Sequence, residues 1–235
     1  MRIMENTMTE NFFTIPYGVL KLETPQKPVN PSYLRGFIGD RFQEKDILHN
    51  HRPDGSMIYR YPAVQYKKHG NSFIIVGIGK EGTDVLKHFF LELDELSIKD
   101  RNLEILSKEL KTKNHLLQIR DSKDFRYRFV SPYAGLNEKN RDKYYKKGDR
   151  KEFLESILIG NILSFLKGQN LFIKERLLCD FRVKDSYEQE IKGNPFMVFE
   201  GFFDVNIDLP DWIGLGKWVS RGFGTVLKEE ITSFR

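Results

Sequence analysis

Cysteine is almost absent, with Cys179 the only one in 235 residues. A single thiol cannot close an intrachain disulfide, so a disulfide-framed secreted fold is excluded and a reducing compartment fits. Its setting, Arg176-Leu177-Leu178-Cys179-Asp180-Phe181, is an apolar strand-like run that predicts a small buried hydrophobe. Long hydrophobic runs are missing too. No stretch approaches the ~18 apolar residues of a membrane span. Met1 to Phe13 carries Glu5 and Glu10 and lacks the continuous apolar core of a signal peptide. Together these features predict a cytoplasmic protein without membrane association. No Gly-x-Ser-x-Gly elbow, P-loop lysine motif or spaced acidic dyad stands out. His49, His51, His69, His88 and His115 have neither a paired cysteine nor His-Glu-x-x-His spacing, so no metal and no cofactor are expected.

What is present is an ordinary globular composition with a basic tilt. At 40% hydrophobic and 13% aromatic the chain can fill a real core, and at 30% charged it carries a well-solvated surface. The net charge of +5 suits a nucleic-acid binder, although many proteins that bind none share it.

Along the chain, Phe12–Glu23 reads as a strand and Asn30-Pro31-Ser32 as a helix start, with apolar Leu34, Phe37, Ile38 and Phe42 at near-helical spacing up to about Leu48. A loop over 49–55 follows. Tyr59–Lys67 and Ser72–Ile78 read as strands joined by the hairpin Lys68-His69-Gly70-Asn71. A helix over Thr83–Asp94 and a strand over Glu104–Leu110 complete a β-α-β-β-α-β unit. After residue 121 the order is similar. There is a strand at Asp124–Pro132, a charged stretch, a helix at Lys151–Gly168, strands at Leu177–Lys184 and Phe196–Ile207 around a polar turn, and a last strand at Thr225–Ile231. The expectation is an α+β protein of two ferredoxin-like (RRM-like) βαββαβ domains, 1–120 and 121–235.

Four segments could carry chemistry. Gly214-Leu215-Gly216-Lys217-Trp218-Val219-Ser220-Arg221-Gly222-Phe223-Gly224 places two Gly-apolar-Gly triplets around a basic, aromatic filling. Glycine permits positive φ and close approach, while Lys217, Trp218 and Arg221 suit an anionic ligand with flat bases. A tight turn with a glycine bulge would explain a lone triplet equally well. His49 and His51, after the first helix, form a potential general acid–base pair, with Arg41, Lys45 and Arg52 close in sequence as cations and Tyr59 as an orienting group. Two exposed loop histidines beyond a helix end fit the same letters. Gly77-Ile78-Gly79-Lys80-Glu81-Gly82 is a literal G-x-G-x-x-G after a strand and before a helix, with Asp100 near the ribose-binding offset; a plain strand-to-helix turn is the alternative. Lys139 to Lys151 holds seven basic residues around Tyr144-Tyr145, either a solvated face or a phosphate-tracking patch.

The C-terminal Gly-Leu-Gly-Lys-Trp-Val-Ser-Arg-Gly-Phe-Gly-Thr-Val resembles the glycine-rich loop of the repeat-associated (RAMP) proteins of CRISPR systems. More specifically, the chain resembles the endoribonuclease that processes CRISPR precursor RNA. Leu34-Arg-Gly-Phe-Ile-Gly, the histidine pair and Tyr59-Arg-Tyr-Pro-Ala-Val-Gln-Tyr-Lys add to the likeness. The resemblance implies two ferredoxin-like domains and metal-independent cleavage within the repeats, leaving 5′-hydroxyl and 2′,3′-cyclic phosphate ends. It implies catalysis by His49 and His51 with help from Arg41 and Tyr59. Repeat RNA would be held by Gly214, Gly216, Lys217, Trp218, Arg221, Gly222 and Gly224, with backbone contacts from Lys146 and Lys147. Repeat RNA would be the partner, with effector-complex subunits or a second copy as further ones. The alternatives are a non-catalytic RNA-binding subunit of an effector complex and, least favoured, a dinucleotide enzyme built on Gly77, Gly79 and Gly82.

Overall fold

The computed structural model describes residues 12–43, 45–48, 60–191 and 193–230. In the first half, β1 (Phe12–Glu23) leads to α1 (Pro31–Arg41), which starts where the sequence places it: Pro31 opens the helix and the Asn30 side chain accepts from Ser32 N at 3.0 Å. The helix stops at Arg41, and Asp46–Leu48 form only a short 3-10 turn, so the first helix is shorter than its spacing predicts. β2 (Val64–His69) and β3 (Ser72–Ile78) make the expected hairpin, turning at Gly70 with φ +55°. α2 (Gly79–Glu92) begins four residues earlier than expected. A small hairpin, β4 (Glu95–Ile98) with β5 (Arg101–Glu104), then precedes the long β6 (Ser107–Gln118). The first sheet runs β2-β3-β1-β6, all antiparallel.

The second half repeats the plan with changes. β7 (Phe125–Phe129) is followed by α3 (Glu138–Lys146), which the charged stretch concealed, and by α4 (Arg150–Gly168), capped by Asp149 on Glu152 N at 2.9 Å. β8 (Cys179–Ile191) and β9 (Asn194–Val205) form one long hairpin, so most of the expected polar turn is strand. Asp185, Tyr187 and Glu190 sit on an exposed sheet edge, where polar side chains cost nothing and hide the strand from pattern reading. β10 (Val226–Glu229) closes a sheet ordered β10-β7-β9-β8. Both sheets thus share the ferredoxin-like strand order. In the second unit, the glycine-rich segment with a short 3-10 turn at Val219–Arg221 stands where the second helix would be.

The pleat of the first sheet divides its side chains between two cores. Leu20, Leu22, Phe73 and Ile75 pack under α1 and α2 through Leu34, Ile38, Leu86 and Phe89. From the other face, Ile15, Tyr17, Ile74, Val76 and Ile78 join a core shared with Leu158, Ile162 and Phe165 of α4 and with Phe129, Phe181, Phe199 and Phe203 of the second sheet. Cys179 is half-buried, and burial pushes its thiol up to about 12, as befits a packing residue. No described helix is long and apolar enough to cross a membrane.

The G-x-G-x-x-G stretch is absorbed by this packing. A methyl group on Gly77 would collide with the Gly82 carbonyl, one on Gly82 would meet the Ala63 carbonyl at 2.8 Å, and Gly79 turns strand into helix at φ +74°. Asp100 lies in the turn between β4 and β5, on a separate hairpin. Gly77→Ala is therefore expected to lower unfolding stability by about 3 kcal/mol, the upper range for overpacking, as a reduced urea midpoint. Nicotinamide and flavin nucleotides should leave the melting temperature of the parent protein unchanged.

Candidate nucleic-acid interface

The glycine-rich segment is built into the junction of the two halves. Its ends zip together through Leu215 N to Gly224 O at 2.9 Å and Val226 N to Ile213 O at 3.0 Å. Lys217 N to Ala134 O and Gly224 N to Pro132 O, at 2.9 and 2.8 Å, pin it to the segment that follows β7. Gly216, Gly222 and Gly224 have φ of +91°, +94° and +60°, and a methyl group on Gly224 would strike the Leu215 carbonyl. Trp212 and Trp218 also take positive φ, +64° and +60°, an uncommon state for a bulky side chain that persists only where surrounding contacts impose it.

Those contacts come largely from the first half. Tyr61 Oη donates to Gly214 O at 2.6 Å, Gly214 N donates to Gln65 Oε1 at 2.8 Å, and Lys67 Nζ donates to Val219 O at 2.8 Å. Gln65 and Lys67, two residues apart, lie on one face of β2 and are 0% and 1% exposed. Burial pulls the Lys67 amine down to about 7. The sequence reading overlooked both residues; the available signal was a Gln-x-Lys pair inside an apolar strand.

The outer side of the segment carries half-buried aromatic and cationic side chains. Lys217 Nζ lies 5.9 Å from the Phe196 ring of β9, Trp218 meets the same ring edge-on at 6.0 Å, and Arg221 lies 5.5 Å from Trp218. Phe196 is a third residue the sequence reading missed. Arg35 of α1 is a fourth. Burial, and then the charge of Arg35, lower the pKa of Arg221, and neither arginine forms an ion pair among the described residues. Two like charges without an acid between them leave a place for an anion.

Of the other expected site residues, Lys146 and Lys147 are exposed at the end of α3, and Tyr144 of that helix packs on Phe199 of β9 at 5.7 Å. The residues leading into α3 include Ala134, the backbone partner of Lys217. Arg41 points elsewhere: its Nη2 donates to Glu92 O at 3.0 Å, and it lines a cleft with Tyr33 and Lys99. His49, His51, Arg52 and Tyr59 lie outside the described residues. The described residues near either side of them, Ile47 and Arg60, both line a cleft of about 820 Å³ with Tyr61, Lys80, Lys167 and Gln169. Among the described residues, no group of three or more His, Cys, Asp or Glu is placed to hold a metal ion.

Comparison with known proteins fits this architecture. The profile of the Cas6b N-terminal domain matches residues 13–116, and that of the Cas6b C-terminal domain matches residues 119–229. A solved structure described as Cas6b superposes with a TM-score of 0.84 at 33% identity, covering 92% of this chain and 100% of that one. The chain belongs to the Cas6b family. A second structure, described as the CRISPR RNA processing endoribonuclease Cas6b, is 28% identical with a TM-score of 0.71 over 92% of this chain and 100% of that chain. An uncharacterised protein of Methanocaldococcus jannaschii is 34% identical over 142 residues, 60% of this chain and 96% of that protein. The chain is a CRISPR RNA-processing endoribonuclease with the duplicated ferredoxin-like fold of its family.

The buried Lys67 has a measurable consequence. Between about 7 and the ordinary lysine value near 10.4, the unfolded chain carries a proton that the folded chain lacks. Stability therefore rises with pH across that window, by at most about 1.4 kcal/mol per pH unit from this group. Urea unfolding at pH 7, 8 and 9 should show this rise, and Lys67→Met should flatten it; equal slopes in the two proteins would contradict the assignment.

Proposed function

We propose that the chain cuts CRISPR precursor RNA within its repeats by 2′-hydroxyl attack without metal, using His49 and His51 as base and acid. One imidazole takes the proton of the 2′-hydroxyl, the freed oxygen attacks the adjacent phosphorus, and the bond from phosphorus to the 5′-oxygen breaks. The other imidazole protonates that oxygen, leaving a 2′,3′-cyclic phosphate and a 5′-hydroxyl. Tyr59 orients the phosphate, and Arg41 is a supporting cation whose guanidinium must first leave the Glu92 carbonyl.

In this reading, Lys217, Trp218 and Arg221 hold the repeat RNA on a loop shaped by Gly214, Gly216, Gly222 and Gly224, and Lys146 and Lys147 contact its backbone. The observation that carries the RNA site is the cluster of Lys217, Trp218 and Arg221 against the Phe196 ring, with Arg35 close enough for its charge to lower the Arg221 pKa. A phosphate between the guanidinium groups relieves their repulsion while a base stacks on the indole. The division of labour falls near residue 120, with the cutting histidines in 1–120 and the glycine-rich loop in 121–235. Product RNA is passed to subunits of a CRISPR effector complex.

Incubation with repeat RNA in EDTA should give a single cut, and a 2′-deoxy substitution at the scissile nucleotide should abolish it. His49→Ala and His51→Ala should each slow cleavage by about 10²–10⁴-fold, the usual effect of losing a general acid or base. Unchanged rates in both would remove the histidines from the mechanism. Salt-sensitive binding without product would favour a scaffold role instead.

A further inference from the structure

The cleft of about 820 Å³ beside Ile47 and Arg60 has an unusual charge balance. Arg60, Lys80 of α2 and Lys167 of α4 line it, against one acid, Glu81. Among the described residues, none of these three cations forms an ion pair. Elsewhere surface lysines find carboxylates: Lys87 with Asp84, Lys151 with Asp180 and Lys228 with Asp208, at 2.9, 2.6 and 2.9 Å. Three unpaired cations converging on one cleft repel each other and favour a polyanion that neutralises them together. The remaining polar lining, Ser164, Gln169 and Asn170, supplies neutral hydrogen-bonding groups suited to sugar hydroxyls and phosphate oxygens.

The position of the cleft narrows the choice of polyanion. Tyr61 lines it and hydrogen-bonds through its hydroxyl to Gly214 O at 2.6 Å, so the cleft and the glycine-rich loop share a wall. Lys80 and Lys167 stand on helices, which fix their stems, whereas Arg41 is engaged by the Glu92 carbonyl and lines a different cleft.

We propose that Arg60, Lys80 and Lys167 form a second RNA-backbone groove, which holds the ribose-phosphate strand flanking the scissile bond. This rests on the endoribonuclease reading above. The groove reads no bases; it adds affinity and register to the grip of the glycine-rich loop. Removal of its charges raises KM and leaves kcat, set by the acid–base pair, within about twofold.

The test uses the full chain and the repeat RNA of the CRISPR array in the same genome, made uncleavable by a 2′-deoxy scissile nucleotide for binding and left unmodified for kinetics. Each of Arg60→Ala, Lys80→Ala and Lys167→Ala should weaken binding and reduce the slope of log Kd against log salt by about 0.7, the value for one phosphate contact on a single strand. The triple variant should lose about 2 units of slope, Lys80→Arg should keep the parent slope, and Lys27→Ala, an exposed site outside the cleft lining, should change nothing. All four alanine-series proteins should melt with the parent, since these side chains are exposed. A triple variant with the parent Kd and salt slope overturns the groove while leaving the endoribonuclease reading intact. A triple variant that loses kcat at unchanged KM also overturns it. If the parent protein neither binds nor cuts the repeat, the underlying reading fails and the groove with it.

Discussion

Three hydrogen bonds, donated by Tyr61 and Lys67 and accepted by Gln65, tie the first half of the chain to the glycine-rich segment of the second, and the rest of the interface depends on them. The most demanding is the Lys67 bond. A lysine amine taken out of water is costly unless it finds a partner, and here the partner is one backbone carbonyl, Val219 O at 2.8 Å. That carbonyl follows Trp218 and precedes Arg221 by two residues. Fixing it fixes the ring and the cation that face outward. The energetic cost of a dry lysine is thereby coupled to the placement of the surface proposed to meet RNA.

Backbone conformation supports the same end. Both tryptophans of the chain sit at positive φ within seven residues of each other, with Gly216 at φ +91° between them and Gly222 and Gly224 at positive φ just beyond. Such conformations are held by the three bonds from the first half and by the pins to Pro132 and Ala134. In the second ferredoxin-like unit, where a helix would ordinarily cover the sheet, the chain instead supplies this braced loop. A helix would bury its polar backbone within itself; a braced glycine loop leaves side chains of both halves close together at one surface. The cations follow the same division. Among the described residues, Lys87, Lys151 and Lys228 pair with carboxylates, while Arg35, Arg221, Arg60, Lys80 and Lys167 form no ion pair.

Particular elements show what pattern reading could reach. β3 was legible to the residue, because Ser72–Ile78 is an apolar β-branched run bounded by a Gly-Asn turn and a glycine. The core of α4 was legible from its apolar spacing, and Asp149 marks its start. The α3 helix was hidden because it buries no side chain, so no apolar period betrays it. The outer half of β8 was hidden because Asp185–Glu190 is polar apart from Tyr187 and shows no apolar alternation. Lys217, Trp218 and Arg221 were legible from glycine spacing, whereas Arg35, Phe196 and Lys67, far away in sequence, were not.

By itself, then, the sequence determined the order of the eight sheet strands and of α1, α2 and α4, the duplication, the family likeness and the identity of the glycine-rich loop. These depend on local periodicity, on turn chemistry and on residues contiguous in the chain. Tertiary structure alone decided what those residues stand against. It showed that the loop is braced by Gln65 and Lys67 about 150 residues upstream, that the charge of Arg35 reaches Arg221, and that Arg41 is turned towards the Glu92 carbonyl. The physical reason is that burial and charge pairing are set by which surfaces meet when two sheets pack. That meeting joins residues with no neighbourly relation along the chain.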